Sequence, residues 1–155
     1  MRIFVRDIRI GIKNLINWFP IIWNDRQWDH SFFYEIMRLK LNKMEKYLRH
    51  NGHHIGSEKS ANKIKVCVML LNRLMEDNYH DLIFRPHDKK WGESKMYVKD
   101  DGYVEIDYPN VKTDEDKVNQ KKDFRNRMSG VEYLNKQDLD YLFSILNKHI
   151  RNWWD

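Results

Sequence analysis

Two stretches of this chain gather residue types that can hold a flat, anionic ligand. In WNDRQWDH, Arg26 stands between Trp23 and Trp28. An indole offers a flat apolar face, and a guanidinium can stack on it or grip a phosphate through paired N–H donors. In GHHIGSEKSANK, Gly56 and Ser57 fall where a helix is expected to begin. Free backbone N–H groups and the positive end of the helix dipole favour an anion there. Ser57 adds a hydroxyl, Lys59 and Lys63 add charge one turn apart, and His53 and His54 can stack or meet a phosphate. Each stretch has a plainer reading. The tryptophans can be core residues beside an Asp25–Arg26 surface pair, and GHHIGS can be a tight loop ahead of a capped helix, with Glu58 opposing an anion. A third group, Arg85, Lys90 and Trp91 in RPHDKKWG, again sets cations beside an aromatic ring.

Catalytic patterns are missing. No Gly-x-Ser-x-Gly elbow, P-loop or dinucleotide fingerprint occurs, and HHIGS does not supply a paired His-x-Ser/Thr pattern. Cys67 lies inside an apolar stripe, which suits an inert buried thiol. His50 and His53 have a ligand-like spacing, but Gly52 should break the helix between them. The expectation is therefore a protein with no catalytic residue, no metal and no cofactor.

Bulk properties narrow the partner. The 155 residues carry a net charge of +5, with 28 basic residues against 23 acidic ones, a slight bias towards anions. A single cysteine excludes an internal disulfide and a thiolate cluster and suits a reducing compartment. Basic residues interrupt MRIFVRDIRIGIKNLINWF, so it reads neither as a signal peptide nor as a membrane span. A cytoplasmic protein without a membrane partner is expected.

The elements that must position these groups follow from apolar spacing. Phe4, Ile8, Ile12, Leu15 and Phe19 mark a helix over 4–19, favoured by its length over a strand in the alternating IRIGIK, and Pro20 interrupts it or starts a new turn. Its apolar face is expected to pack on its own domain or on a neighbouring subunit. Asp29 is the expected N-cap of a helix over 29–51 with the stripe Phe33, Met37, Leu41, Met44 and Leu48, ended by Gly52. A third helix is expected near 57–79, on Ile64, Val68, Leu71 and Met75. HDLIFRPHDKKWGES reads as irregular, and KMYVKDDGYVEIDY as a hairpin turning at Asp101-Gly102 and leaning on the helices. A short polar helix should run from Thr113 to about Met128 with Gly130 as its stop. Asn135 should cap a last helix with the stripe Leu139, Leu142, Phe143, Leu146, Ile150 and Trp153. The fold expected is mainly α: a compact bundle of four to five helices with a small β-hairpin near residues 96–108, in one domain over 1–155.

The segments WFPIIWNDRQWD, MEKYLRHNGHHIGSEKSANK and KQDLDYLF, with the closing WWD, resemble a widespread family of small bacteriophage proteins. The likeness runs from about Phe4 to Asp155 and is weakest between Arg85 and Val131. It extends to the phage anti-CBASS sponges, which sequester the cyclic nucleotide signals of bacterial defence without cleaving them and act as oligomers. That resemblance implies immune evasion in the cytoplasm of an infected bacterium, a cyclic oligonucleotide ligand with a cyclic dinucleotide favoured, and a homo-oligomer. The alternative is a phage interaction protein that binds a host protein or, less favoured, nucleic acid through its basic aromatic surface. The candidate ligand residues rest on the physical reading alone: Trp23, Arg26, Trp28, His54, Gly56, Ser57, Lys59, Arg85, Lys90 and Trp91.

Overall fold

A computed structural model describes residues 2–26, 28–52, 55–100 and 102–153, with side chains from Val5 onward. The fold is mainly helical. Among the described residues there are five α-helices and one two-stranded antiparallel sheet: α1 Arg2–Trp23, α2 Ser31–Asn51, α3 Ser57–Glu76, α4 Tyr79–Trp91, β1 Lys95–Val98, β2 Val104–Asp107 and α5 Asp114–His149, followed by a 3-10 turn at Ile150–Trp153. None of these helices is long and apolar enough to cross a membrane. The chain divides into two compact units, Met1–Met75 with Ile145–Asp155, and Glu76–Ser144.

In the first unit, α2 and α3 supply the buried stripes Leu41, Met44, Leu48 and Ala61, Ile64, Cys67, Leu70, Leu71, Leu74. Leu146 and Trp153, from the end of the chain, are buried in the same unit. Phe33, expected in the α2 stripe, is instead exposed. Helix α2 begins at Ser31, two residues after the expected cap. Asp29 still serves that end, because its Oδ1 accepts the Ser31 N–H at 2.8 Å. The hydrogen bonds from Ser31 hold the Asp29 carboxyl below the usual carboxylate range. Gly52 ends α2 as expected, but with φ −71° rather than in the left-handed region. Glycine is needed there for space: a Cβ would overlap the Leu48 carbonyl oxygen and the Ser57 side chain.

Helix α1 continues one turn past Pro20, which costs it a single backbone hydrogen bond. Its half-buried residues are Asn17, Trp18 and Ile21, and the Lys43 ammonium of α2 lies 5.1 Å from the centre of the Trp18 ring. The stripe expected to be covered is bare within the chain: Ile8, Ile12, Leu15 and Phe19 are all exposed.

The second unit departs most from expectation. Helix α3 stops at Glu76, before a left-handed Asp77 with φ 47°, and the segment expected to be irregular is helix α4. Pro86 lies inside α4 and removes one hydrogen bond. Burial of Phe84, His87 and Trp91, spaced three and four apart, offsets that loss. Helix α5 runs unbroken through Gly130 and Asn135, where two helices were expected. A helical glycine costs about 1 kcal/mol and does not by itself end a helix. The start of α5 is a reciprocal cap: Thr113 Oγ1 accepts the Asp116 N–H at 3.1 Å, and the Asp116 carboxylate accepts the Thr113 N–H at 2.9 Å.

The hairpin forms where its alternating flanks predict, pairing Met96 with Ile106 and Val98 with Val104. The Gly102 N–H closes its turn on the Lys99 carbonyl at 2.8 Å, with Gly102 at φ +81°. Asp101 lies outside the described residues. Every position of both strands is exposed, and the hairpin meets a helix where Ile106 shares a shallow recess with Gln120 and Phe124 of α5, so the cover expected from the helices is slight.

Candidate functional site

The three residue groups expected to share a ligand are distributed along the chain by its helices. Trp23, Arg26 and Trp28 precede the start of α2, whereas Gly56, Ser57 and Lys59 follow its end. With 21 residues α2 spans roughly 30 Å, so one small ligand cannot touch both groups in a single chain. Arg85, Lys90 and Trp91 belong to α4 in the other unit.

At the first corner, Trp23 and Trp28 are 72% and 82% exposed. Trp23 leans on Phe19 with ring centres 5.2 Å apart. Arg26 is exposed, and its Nη1 donates to the Asp25 carbonyl at 3.2 Å. Among the described residues this corner is an exposed aromatic and cationic surface.

At the second corner, Gly56 takes φ +103°, a backbone conformation that favours glycine, and its carbonyl accepts the Ser60 N–H at 2.9 Å. Gly56 is thus the residue before α3, and it has no side chain to cap the N–H groups of the first turn. His53 and His54 lie outside the described residues. Lys63 extends from the next turn, and its Nζ lies 3.3 Å from His149 Nδ1 at the end of α5. Desolvation lowers the His149 pKa first, and the charges of Lys63, Lys148 and Lys59 lower it further. Lys63 thus lies against a ring held towards its neutral form, and the charges of Lys148 and Lys59 act on the same ring. Lys148 and His149 were not among the sequence candidates. They are 85 or more positions from Lys63, and a terminal "NKHI" carries no sign of that meeting. Close by in sequence, the buried Trp153 Nε1 has no hydrogen-bond partner among the described residues.

In the second unit Trp91 and His87 are engaged in packing. Trp91 is 5% exposed, and its Nε1 donates to Asp123 Oδ2 at 3.1 Å, so its ring and its N–H are both used in packing. The Lys90 ammonium rests 4.2 Å from the centre of that ring, and Arg85 is exposed. His87, missed in the sequence, is fully buried between two partners, Asp88 Oδ1 and Gln120 Nε2, each at 3.3 Å. Phe84, Tyr108 and Phe124 surround its ring, with centres 5.2–6.0 Å away. A histidine with both nitrogens engaged and no exposure is not placed to exchange protons with a substrate. A shallow recess of about 250 Å³ lies beside it, lined by His80, Phe84, Asp88, Glu93, Tyr108 and Phe124. Burial and the nearby Asp88 charge raise the Tyr108 pKa, so its phenol stays neutral. Its two carboxylates make this recess a poor seat for an anion.

No family model, curated protein or solved structure matches this chain. Its chemistry therefore rests on the side chains themselves. Among the described residues no group of three His, Cys, Asp or Glu side chains converges to hold a metal ion.

Proposed function

We propose that this chain acts by binding and that its ligand is a phosphorylated molecule held at the start of α3. One observation carries this reading: Lys63 Nζ lies 3.3 Å from His149 Nδ1, where the charges of Lys148 and Lys59 also act on the ring, next to first-turn N–H groups that no side chain of Gly56 caps. Cations of one sign in close proximity repel one another, and a phosphate relieves that repulsion. The resemblance to phage sponges supplies the narrower reading, a cyclic nucleotide sequestered without cleavage. The chain has no recognised catalytic motif to set against that reading.

The test is a thermal-shift panel of cyclic di- and trinucleotides, linear nucleotides and inorganic phosphate, followed by chromatographic recovery of the ligand. Stabilisation with intact recovery is expected. A charge-assisted hydrogen bond contributes about 1.5–3 kcal/mol, so Lys59→Ala with Lys63→Ala should weaken binding at least tenfold. Degraded ligand would establish an enzyme instead. If Arg26→Ala abolishes binding and the lysine variants do not, the ligand sits on the tryptophan corner.

A second reading, an interaction protein, is favoured by the uncovered apolar stripe of α1.

A further inference from the structure

Helix α1 has two distinct sides. One side, with Asn17, Trp18 and Ile21, is half-buried. On a second face, which adjoins the first where Leu15 and Ile22 flank Trp18, lie Val5, Ile8, Ile12, Leu15, Phe19 and Ile22, spaced alternately three and four residues apart. That is a seam of three heptads, with Val5, Ile12 and Phe19 at one core position and Ile8, Leu15 and Ile22 at the other. All six are exposed, at 47–71%. Ile16 and Trp23, also exposed, widen one flank. Pro20 falls outside the seam, where its missing N–H does not disturb a partner. A seam with strict heptad spacing matches another helix of the same kind, and the half-buried side of α1 leaves it free to be used.

We propose that α1 pairs with α1 of a second copy of this chain through this seam, and that the two helices run antiparallel. The area is sufficient. Eight exposed apolar side chains at roughly 100 Å² each amount to about 800 Å² per copy, the size of one side of a standard stable interface. Direction follows from charge. Every charged residue of α1 precedes Asn14, and Arg6, Arg9 and Lys13 are exposed. A parallel pair brings these cations together. An antiparallel pair sets each cationic half against the uncharged half of its partner and near the negative end of the partner's helix dipole. The inference is independent of any ligand at α3.

Mass measurement by light scattering on the eluting full-length protein tests the pairing. The expected mass is twice 19.2 kDa. Ile12→Asp with Leu15→Asp should give a single-chain mass with unchanged circular dichroism, because both side chains are already exposed. A single-chain mass for the unaltered protein, or a double mass for the variant, overturns the pairing. So does unaltered protein that remains a single chain and co-sediments with anionic vesicles, which would assign the stripe to a lipid surface. Direction is read from oxidised mixtures in a Cys67→Ala background. Val5→Cys chains mixed with Ile22→Cys chains should cross-link to each other, and neither should cross-link alone. Efficient cross-linking of Val5→Cys chains alone overturns the antiparallel arrangement.

Discussion

Lys63 Nζ lies 3.3 Å from His149 Nδ1, joining the second turn of α3 to the last residue of α5. Desolvation and the neighbouring ammonium groups hold the His149 pKa below 6.5. The protonated ring is thus less favoured in the folded state than in the unfolded one. The stability this contributes is present above the unfolded pKa and is lost as the pH falls through the folded value. A bound phosphate reverses the local field and raises the His149 pKa. Binding of a cyclic dinucleotide, whose phosphodiesters do not titrate in this range, should therefore take up protons and tighten as the pH drops from 7.5 towards 5.5. An NMR titration of His149, with calorimetry in buffers of different ionisation enthalpy, measures both effects. Affinity indifferent to pH over that range would remove His149 from the site.

Tyr79 OH donates to Asp138 Oδ2 at 2.7 Å, and both residues are buried. Removing the phenol leaves a buried carboxylate short of a donor. Tyr79→Phe should cost roughly 1–3 kcal/mol in urea unfolding. A loss below 0.5 kcal/mol would show that water or another donor replaces the hydroxyl.

Two glycines should respond in opposite directions. At Gly130, within α5, an added methyl meets Ile83 Cγ2 at 3.6 Å, an ordinary contact. Gly130→Ala should stabilise by about 0.5–1 kcal/mol, a rise of a few degrees in Tm. At Gly92, φ is +82° and the methyl would come within 2.6 Å of Pro109 Cγ. Gly92→Ala should lower Tm.

Cys67 is fully buried, and burial pushes its thiol up to about 11. Native protein should react with a bulky maleimide only as fast as it opens. Cys67→Ala should cost roughly 1–2 kcal/mol, a modest cavity. Labelling within seconds would contradict the burial.

The helical class and the positions of α2, the body of α3 and the hairpin were legible in the sequence, because their apolar periods are unambiguous. The ends of helices were less so. Gly130 and Asn135 look like stop and start signals, yet the helix carries through both, and local chemistry does not report such tertiary support. Pro20 misled in the same way, and the helix α4 was missed altogether, because burial of Phe84, His87 and Trp91 carries it past Pro86. At the candidate site Lys59 and Lys63 were visible as a pair one turn apart. Lys148 and His149 were not, because no period links the beginning of α3 to the end of α5. The length of α2 was readable, but its consequence, the separation of Arg26 from Ser57, needs α2 to form one unbroken helix.

Leu146 and Trp153 are buried in the unit that otherwise consists of residues 1–75. The order of synthesis thereby becomes a constraint. When α2 and α3 emerge from the ribosome, part of their cover is still some 70 residues away. At about 5–20 residues per second the apolar stripes wait several seconds or longer for it. During that interval Leu41, Leu48, Ile64 and Leu71 have only each other and whatever else is within reach, including a chaperone or a neighbouring nascent chain.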